Sequence, residues 1–173
     1  MLKTTANKIT LARMILVPVF MVLAYCGLRT AAFIVYAVAC ISDFVDGYIA
    51  RHYDQITDFG KFMDPLADKM LVVAALCFFS DTGQVPGWIT AVVVFREFAV
   101  SGLRLVAVEK GRVIAAAVSG KIKTACTMIC LGAMMFFPEN RLITILSCIL
   151  IPVTTLVSGL EYFLRNRDVF RDA

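Results

Sequence analysis

The sequence predicts an all-α polytopic membrane protein with six transmembrane helices, both termini cytoplasmic, and a single domain over residues 1–173. Three observations carry this prediction. Hydrophobic residues make up 60% of the chain and charged residues only 17%, whereas a soluble domain carries about 45–50% and about 25%. The mean hydropathy is +0.83. Six apolar runs follow one another at about 8–28, 31–50, 62–80, 85–108, 119–137 and 140–163, each close to the roughly 20 residues that cross hydrocarbon. The cations are also lopsided. With six spans, only Arg29 and Arg141 fall on one side and Arg96 falls inside a span, while the other fourteen of the 17 Lys and Arg share the side of the termini. That asymmetry marks a cytoplasmic face.

The breaks between runs are short. Gly27 and Arg29-Thr30 separate the first two, and a polar stretch from Arg51 to Lys61 separates the second and third. Ser80 to Gln84 ends the third run. Glu109 to Arg112 and Ser119 to Lys123 part the fourth from the fifth, and Pro138 to Arg141 parts the last two. The first run exceeds the roughly 7–15 residues of a signal-peptide core, so it is expected to persist as a helix. There is no internal repeat and no low-complexity tract. A net charge of +4 does not by itself argue for nucleic acid, and none is expected as a partner. Cys26, Cys40, Cys77, Cys126, Cys130 and Cys148 all lie in apolar stretches without a C-x-x-C spacing. They read as packing residues. Trp88 and Tyr162 read as interfacial anchors, and His52 as a solvated loop residue.

The acidic residues carry the chemistry. Asp43 and Asp46 lie three apart near the end of the second run, and Asp64 and Asp68 four apart near the start of the third. Each pair shares one helix face. A short connection makes the two helices antiparallel neighbours, so the four carboxylates can meet near the cytoplasmic interface. Each Asp in a membrane helix costs about 2.5–3.5 kcal/mol on insertion scales, and like charges packed together cost more. Two divalent cations would balance four carboxylates. An oxygen-only donor set favours Mg²⁺, Mn²⁺ or Ca²⁺ over zinc. Singly, Asp64 before Pro65 would also serve as a helix cap. Gly47, Ala50 and Gly60 add small positions where a ligand or a facing backbone can approach closely. Arg51 and Thr57 can donate to phosphate oxygens.

The stretch Asp43-Phe-Val-Asp46-Gly47-Tyr-Ile-Ala50-Arg51, eight residues, Gly60-Lys-Phe-Met-Asp64-Pro-Leu-Ala-Asp68 resembles the signature of the CDP-alcohol phosphatidyltransferase family, D-x2-D-G-x2-A-R-x8-G-x3-D-x3-D. All eight fixed positions match. Asn7-Lys-Ile-Thr10-Leu-Ala-Arg13 resembles that family's N-terminal segment, without the Pro usually found before its Asn. The stretches 95–104, 113–116 and 120–124 resemble the phosphatidylglycerophosphate synthase subfamily, with Thr127 standing where Gln is expected.

The resemblance implies transfer of a phosphatidyl group from CDP-diacylglycerol to an alcohol, with release of CMP. For the subfamily the alcohol is sn-glycerol 3-phosphate. It further implies two metal ions, Mg²⁺ or Mn²⁺, with Asp43 and Asp64 bridging, Asp46 completing one site and Asp68 the other. Asp68 would also be the base on the acceptor hydroxyl. Asn7, Thr10, Gly47, Arg51 and Thr57 would hold the cytidine diphosphate, beside the small positions Ala50 and Gly60. The implied setting is a homodimer in membrane lipid, in the bacterial cytoplasmic membrane, with its site facing the cytoplasm.

Two-metal positioning suits attack on a pyrophosphate, which needs charge neutralisation more than covalent help. Arg96 and Arg104 are eight apart and lie on roughly one helix face, and Lys121 and Lys123 open the next run. Convergent cations fit an anionic acceptor, glycerol 3-phosphate or an inositol phosphate, better than serine. Pairing of Arg96 with Glu97, and cytoplasmic bias for the other three, are the alternatives. A divalent-cation transporter would also carry acidic residues in its spans, but near the midplane and often with inverted repeats.

Overall fold

The computed structural model describes residues 5–52, 58–109, 111, 114 and 117–167, with side chains left outside the description at 5–9, 43–52, 58–65 and 68. Among the described residues the chain is all-helical. The order is α1 (Thr5–Tyr25), α2 (Arg29–His52), α3 (Asp58–Asp81), α4 (Gly87–Glu109), α5 (Val118–Phe136) and α6 (Arg141–Arg165). The six helices coincide with the six apolar runs.

Local chemistry explains the ends. Gly27 and Gly83 adopt φ of 77° and 72° just past α1 and α3, a left-handed conformation that only glycine takes without a Cβ penalty. Asn140 caps α6, its side chain accepting from Leu142 N and Ile143 N. Short connections at both turns make α1–α2 and α5–α6 antiparallel pairs. α1 also packs on α3, α4 on α6 and on α3, and α5 on α2 and α3.

The centre of the bundle is apolar: Phe20, Ala39, Leu76, Ile89, Leu131 and Ile151 are buried together. Tyr36 ties α2 to α5 by donating its hydroxyl to Met128 O at 3.1 Å. The outer surface is apolar too. Ile15, Ile41, Phe95, Phe98, Ile129 and Val157 are exposed, far beyond the scattered apolar exposure usual in water. Helices α2 and α3 have 24 residues each, about 36 Å at the α-helical rise. Among the described residues, α6 alone is apolar enough throughout to qualify as a span, with mean hydropathy 2.1. The apolar stretches Thr10–Tyr25 and Arg29–Ser42 are shorter. Charged residues interrupt α4 at Arg96, Glu97 and Arg104.

Three expectations shift. The described residues of the polar stretch 51–61 are helical: α2 runs through Arg51 and His52, and α3 starts at Asp58. Asp64 therefore does not cap α3, which begins six residues earlier. Residues 119–123, expected as a break, form the first turns of α5. Polarity misled both readings, because a helix end that meets water or a polar cavity carries charge without ceasing to be helix.

Candidate functional site

Three helices, α3, α4 and α5, bring cations to one cavity. Its volume is about 570 Å³, and its walls come from the middle of α3, from α4 between Val93 and Arg104, from α5 between Gly120 and Met128, and from Tyr162 on α6 and Cys40 on α2. Lys69, Arg96, Arg104, Lys121 and Lys123 all line it, and among the described residues Glu97 is the one acid that does. The four cations picked out from the sequence are therefore brought together, and Lys69 joins them.

Glu97 sits at the centre of the charge network. Its Oε1 accepts from Arg96 Nη1 at 3.0 Å and from Lys123 Nζ at 2.7 Å. Its Oε2 lies 3.7 Å from Lys69 Nζ. Lys69 also donates to Ser101 Oγ, and Ser101 Oγ donates to the Glu97 carbonyl at 2.7 Å. One carboxylate thus meets cations from α3, α4 and α5. The Lys123 side chain is only 3% exposed, and a cation buried to that degree requires a paired anion. The pairing of Arg96 with Glu97 expected as an alternative is present, and it coexists with the cavity.

Arg96 is held by space as well as charge. A Cβ at Gly159 on α6 would come within 3.2 Å of Arg96 Cγ, and one at Gly120 on α5 within 3.6 Å of its Nη2. The two glycines form the slot the side chain threads. Its Nε is buried and has no hydrogen-bond partner among the described residues, an unmade bond that is costly at such a site. On the next turns Arg104 Nε donates to Tyr162 Oη at 2.8 Å. Tyr162, expected as an interfacial anchor, is 2% exposed and a wall of the cavity. The correction has a simple cause: α4 and α6 pack together at this end, and a phenol near a helix end looks the same in sequence whether it faces lipid or a neighbouring helix. Trp88, by contrast, is 57% exposed in the first turn of α4.

Asp43 and Asp46 are on α2, Asp64 and Asp68 on α3, and these helices pack against each other. Lys69, the residue after Asp68, reaches the cavity. The side chains of all four aspartates lie outside the described residues, as do those of Asn7, Gly47, Ala50, Arg51 and Gly60; Thr57 lies outside altogether. The donor set fits hard divalent cations: four carboxylates at i,i+3 and i,i+4 spacing on two adjoining helices. Thr10 is buried at 1% exposure, and Arg13 one turn on at 0%. Arg13 closes the segment that resembles the family's N-terminal motif, where sequence alone assigns it no role.

Comparison with known proteins gives the family. The family model for CDP-alcohol phosphatidyltransferase matches residues 3–159. The chain is 38% identical to the CDP-diacylglycerol–glycerol-3-phosphate 3-phosphatidyltransferase of Bacillus subtilis, over 95% of this chain and 96% of that protein. It is 35% identical to a protein of Mycobacterium tuberculosis named as a probable phosphatidylglycerophosphate synthase, over 95% and 82%. It is also 35% identical to the Haemophilus influenzae protein with the same name as the Bacillus one, over 89% and 88%. With a matching family model across most of its length and relatives aligned nearly end to end, the chain belongs to the CDP-alcohol phosphatidyltransferase family.

Proposed function

We propose that the protein is an integral membrane enzyme that transfers a phosphatidyl group from CDP-diacylglycerol to sn-glycerol 3-phosphate, giving phosphatidylglycerophosphate and CMP. The family and the names of its relatives support the reaction. The observation that carries the acceptor's class is the cavity that, among the described residues, five cations and one acid line. Such a cavity favours a phosphate monoester over a neutral or zwitterionic alcohol.

In this reading residues 1–173 form one domain with six spans, in a bacterial cytoplasmic membrane, termini and cavity on the cytoplasmic side. The exposed apolar flanks face lipid, and a homodimer buries part of them. Acyl tails stay in hydrocarbon while the headgroup reaches the cytoplasmic helix ends. Asn7, Thr10, Gly47, Arg51 and Thr57 hold the cytidine diphosphate, with Ala50 and Gly60 allowing close approach. Asp43, Asp46, Asp64 and Asp68 hold two divalent ions, Mg²⁺ or Mn²⁺, which when bound supply charge neutralisation at the pyrophosphate. Arg96, Arg104, Lys121 and Lys123 take the acceptor's phosphate. Asp68 accepts the proton of the acceptor hydroxyl as its oxygen bonds to the lipid-bearing phosphorus and the bond to CMP breaks.

The test is CMP release by purified protein in lipid-detergent micelles, with CDP-diacylglycerol and a panel of glycerol 3-phosphate, inositol phosphate, inositol and serine. Release with glycerol 3-phosphate far above the others supports the assignment. Equal use of serine or inositol would remove the acceptor assignment, and no release with any alcohol would remove the reaction.

A further inference from the structure

We propose that Glu97 is a positioning residue of the acceptor site, one carboxylate that fixes Lys69, Arg96 and Lys123 as a rigid ring of cations around the acceptor's phosphate. The inference rests on the reading of the cavity as the acceptor site.

An acid in a phosphate pocket is at first sight the wrong charge. Its geometry gives the reason for it. The three cations come from three different helices and approach the same carboxylate at 2.7, 3.0 and 3.7 Å. Without the acid they would repel one another in a confined space. Lys123, almost wholly buried, would lose the anion that pairs with it among the described residues. With it, each long side chain is ordered before the acceptor arrives, so less conformational freedom is lost on binding. The remaining cations are arranged differently: Arg104 is held by Tyr162, and Lys121 is exposed at the cavity's edge. Glu97 thus organises the inner part of the cavity.

The Lys69 arm gives the arrangement a direction. Lys69 comes from α3, the helix that also carries Asp64 and Asp68. It is held from α4 twice, through Glu97 Oε2 and through Ser101 Oγ. Ser101 is itself anchored on the Glu97 backbone carbonyl. A phosphate seated among these cations is registered against α3 next to the residue assigned as base. Glu97 touches neither acceptor nor metal in this scheme and works through the lysines and Arg96. Gln at 97 keeps the shape and loses the charge. Asp keeps the charge but is one methylene too short to meet all three partners.

The test is steady-state kinetics of Glu97→Gln, Glu97→Asp and Ser101→Ala in the full-length protein, varying each substrate in turn. Glu97→Gln should raise KM for glycerol 3-phosphate about tenfold or more, with KM for CDP-diacylglycerol within about twofold of wild type. Glu97→Asp should recover part of the loss, and Ser101→Ala, which frees only Lys69, should raise the acceptor KM about threefold. An unchanged acceptor KM in Glu97→Gln, or equal losses for both substrates, overturns the assignment. If Glu97→Gln gives no cooperative thermal transition, Ser101→Ala decides alone, and an acceptor KM equal to wild type there overturns it. Wild-type protein inactive with glycerol 3-phosphate overturns the underlying reading instead.

Discussion

Arg104 on α4 and Tyr162 on α6 form a directed pair: Arg104 Nε donates to the phenol oxygen at 2.8 Å, and the guanidinium carbon lies 5.5 Å from the ring centroid. The bond uses the one donor of the fork that points back along the side chain, which leaves the terminal nitrogens for a ligand. Arg104→Ala removes a charge-assisted contact worth about 1.5–3 kcal/mol. The expected result is a ten- to hundredfold loss in kcat/KM for glycerol 3-phosphate, roughly, with KM for CDP-diacylglycerol little changed. Tyr162→Phe keeps the ring and loses the acceptor, so its loss should be smaller, about three- to tenfold. Arg104→Ala weakening only CDP-diacylglycerol would place the acceptor elsewhere.

Gly159 predicts a mutation outside the cavity with an effect inside it. A Cβ there would stand 3.2 Å from Arg96 Cγ, tighter than ordinary packing. Gly→Ala gains about 1 kcal/mol of helix propensity, so Gly159→Ala should be near neutral or mildly stabilising to heat. Gly159→Val crowds the slot and turns Arg96 away. It should lower kcat/KM for the acceptor about tenfold while the protein still shows a cooperative thermal transition. Wild-type kinetics in Gly159→Val would show that Arg96 is free to relax.

The cation asymmetry predicts topology, and a native residue can report it. Cys26 is exposed in the turn between α1 and α2, at the end of the bundle away from the cavity. A membrane-impermeant maleimide added to intact cells should label Cys26, and Cys26→Ser should abolish the signal. In that background Thr82→Cys should label from outside, and Lys3→Cys only after permeabilisation. Labelling of positions 3 and 82 from the same side would exclude six spans.

The helices were legible because six apolar runs of membrane length leave few alternatives. Their ends were not, because polar residues at 51–52, 58–61 and 119–123 look like loop when they belong to helix ends. Four of the five cations that line the cavity among the described residues were picked out from the sequence. Lys69 was not, and Glu97 was read only as a partner for Arg96, for a common reason. Each stands beside a more conspicuous residue, Asp68 or Arg96, and only the packing of α3, α4 and α5 reveals that the two face each other. Tyr162 escaped because helix periodicity tells which face a residue occupies but not which neighbour covers that face.

The carboxylates give the most decisive prediction. Four Asp on two adjoining helices carry about four negative charges at neutral pH, and no cation of the cavity is close to Asp43 or Asp46 in sequence. If two divalent ions hold them together, activity should vanish in excess EDTA and return with Mg²⁺ or Mn²⁺. Asp43→Asn or Asp64→Asn removes a bridging ligand and should abolish turnover, a loss of at least about a thousandfold. Asp68→Asn should collapse kcat with smaller effect on KM for the acceptor, since the phosphate is held by α4 and α5 rather than by the base. Isothermal titration supplies a readout independent of turnover: Mn²⁺ binding to the purified protein should weaken in Asp43→Asn and Asp64→Asn but not in Arg104→Ala. Full activity in excess chelator would sink the two-metal reading. Equal Mn²⁺ binding by wild type and both Asn variants would instead move the metals away from these helices.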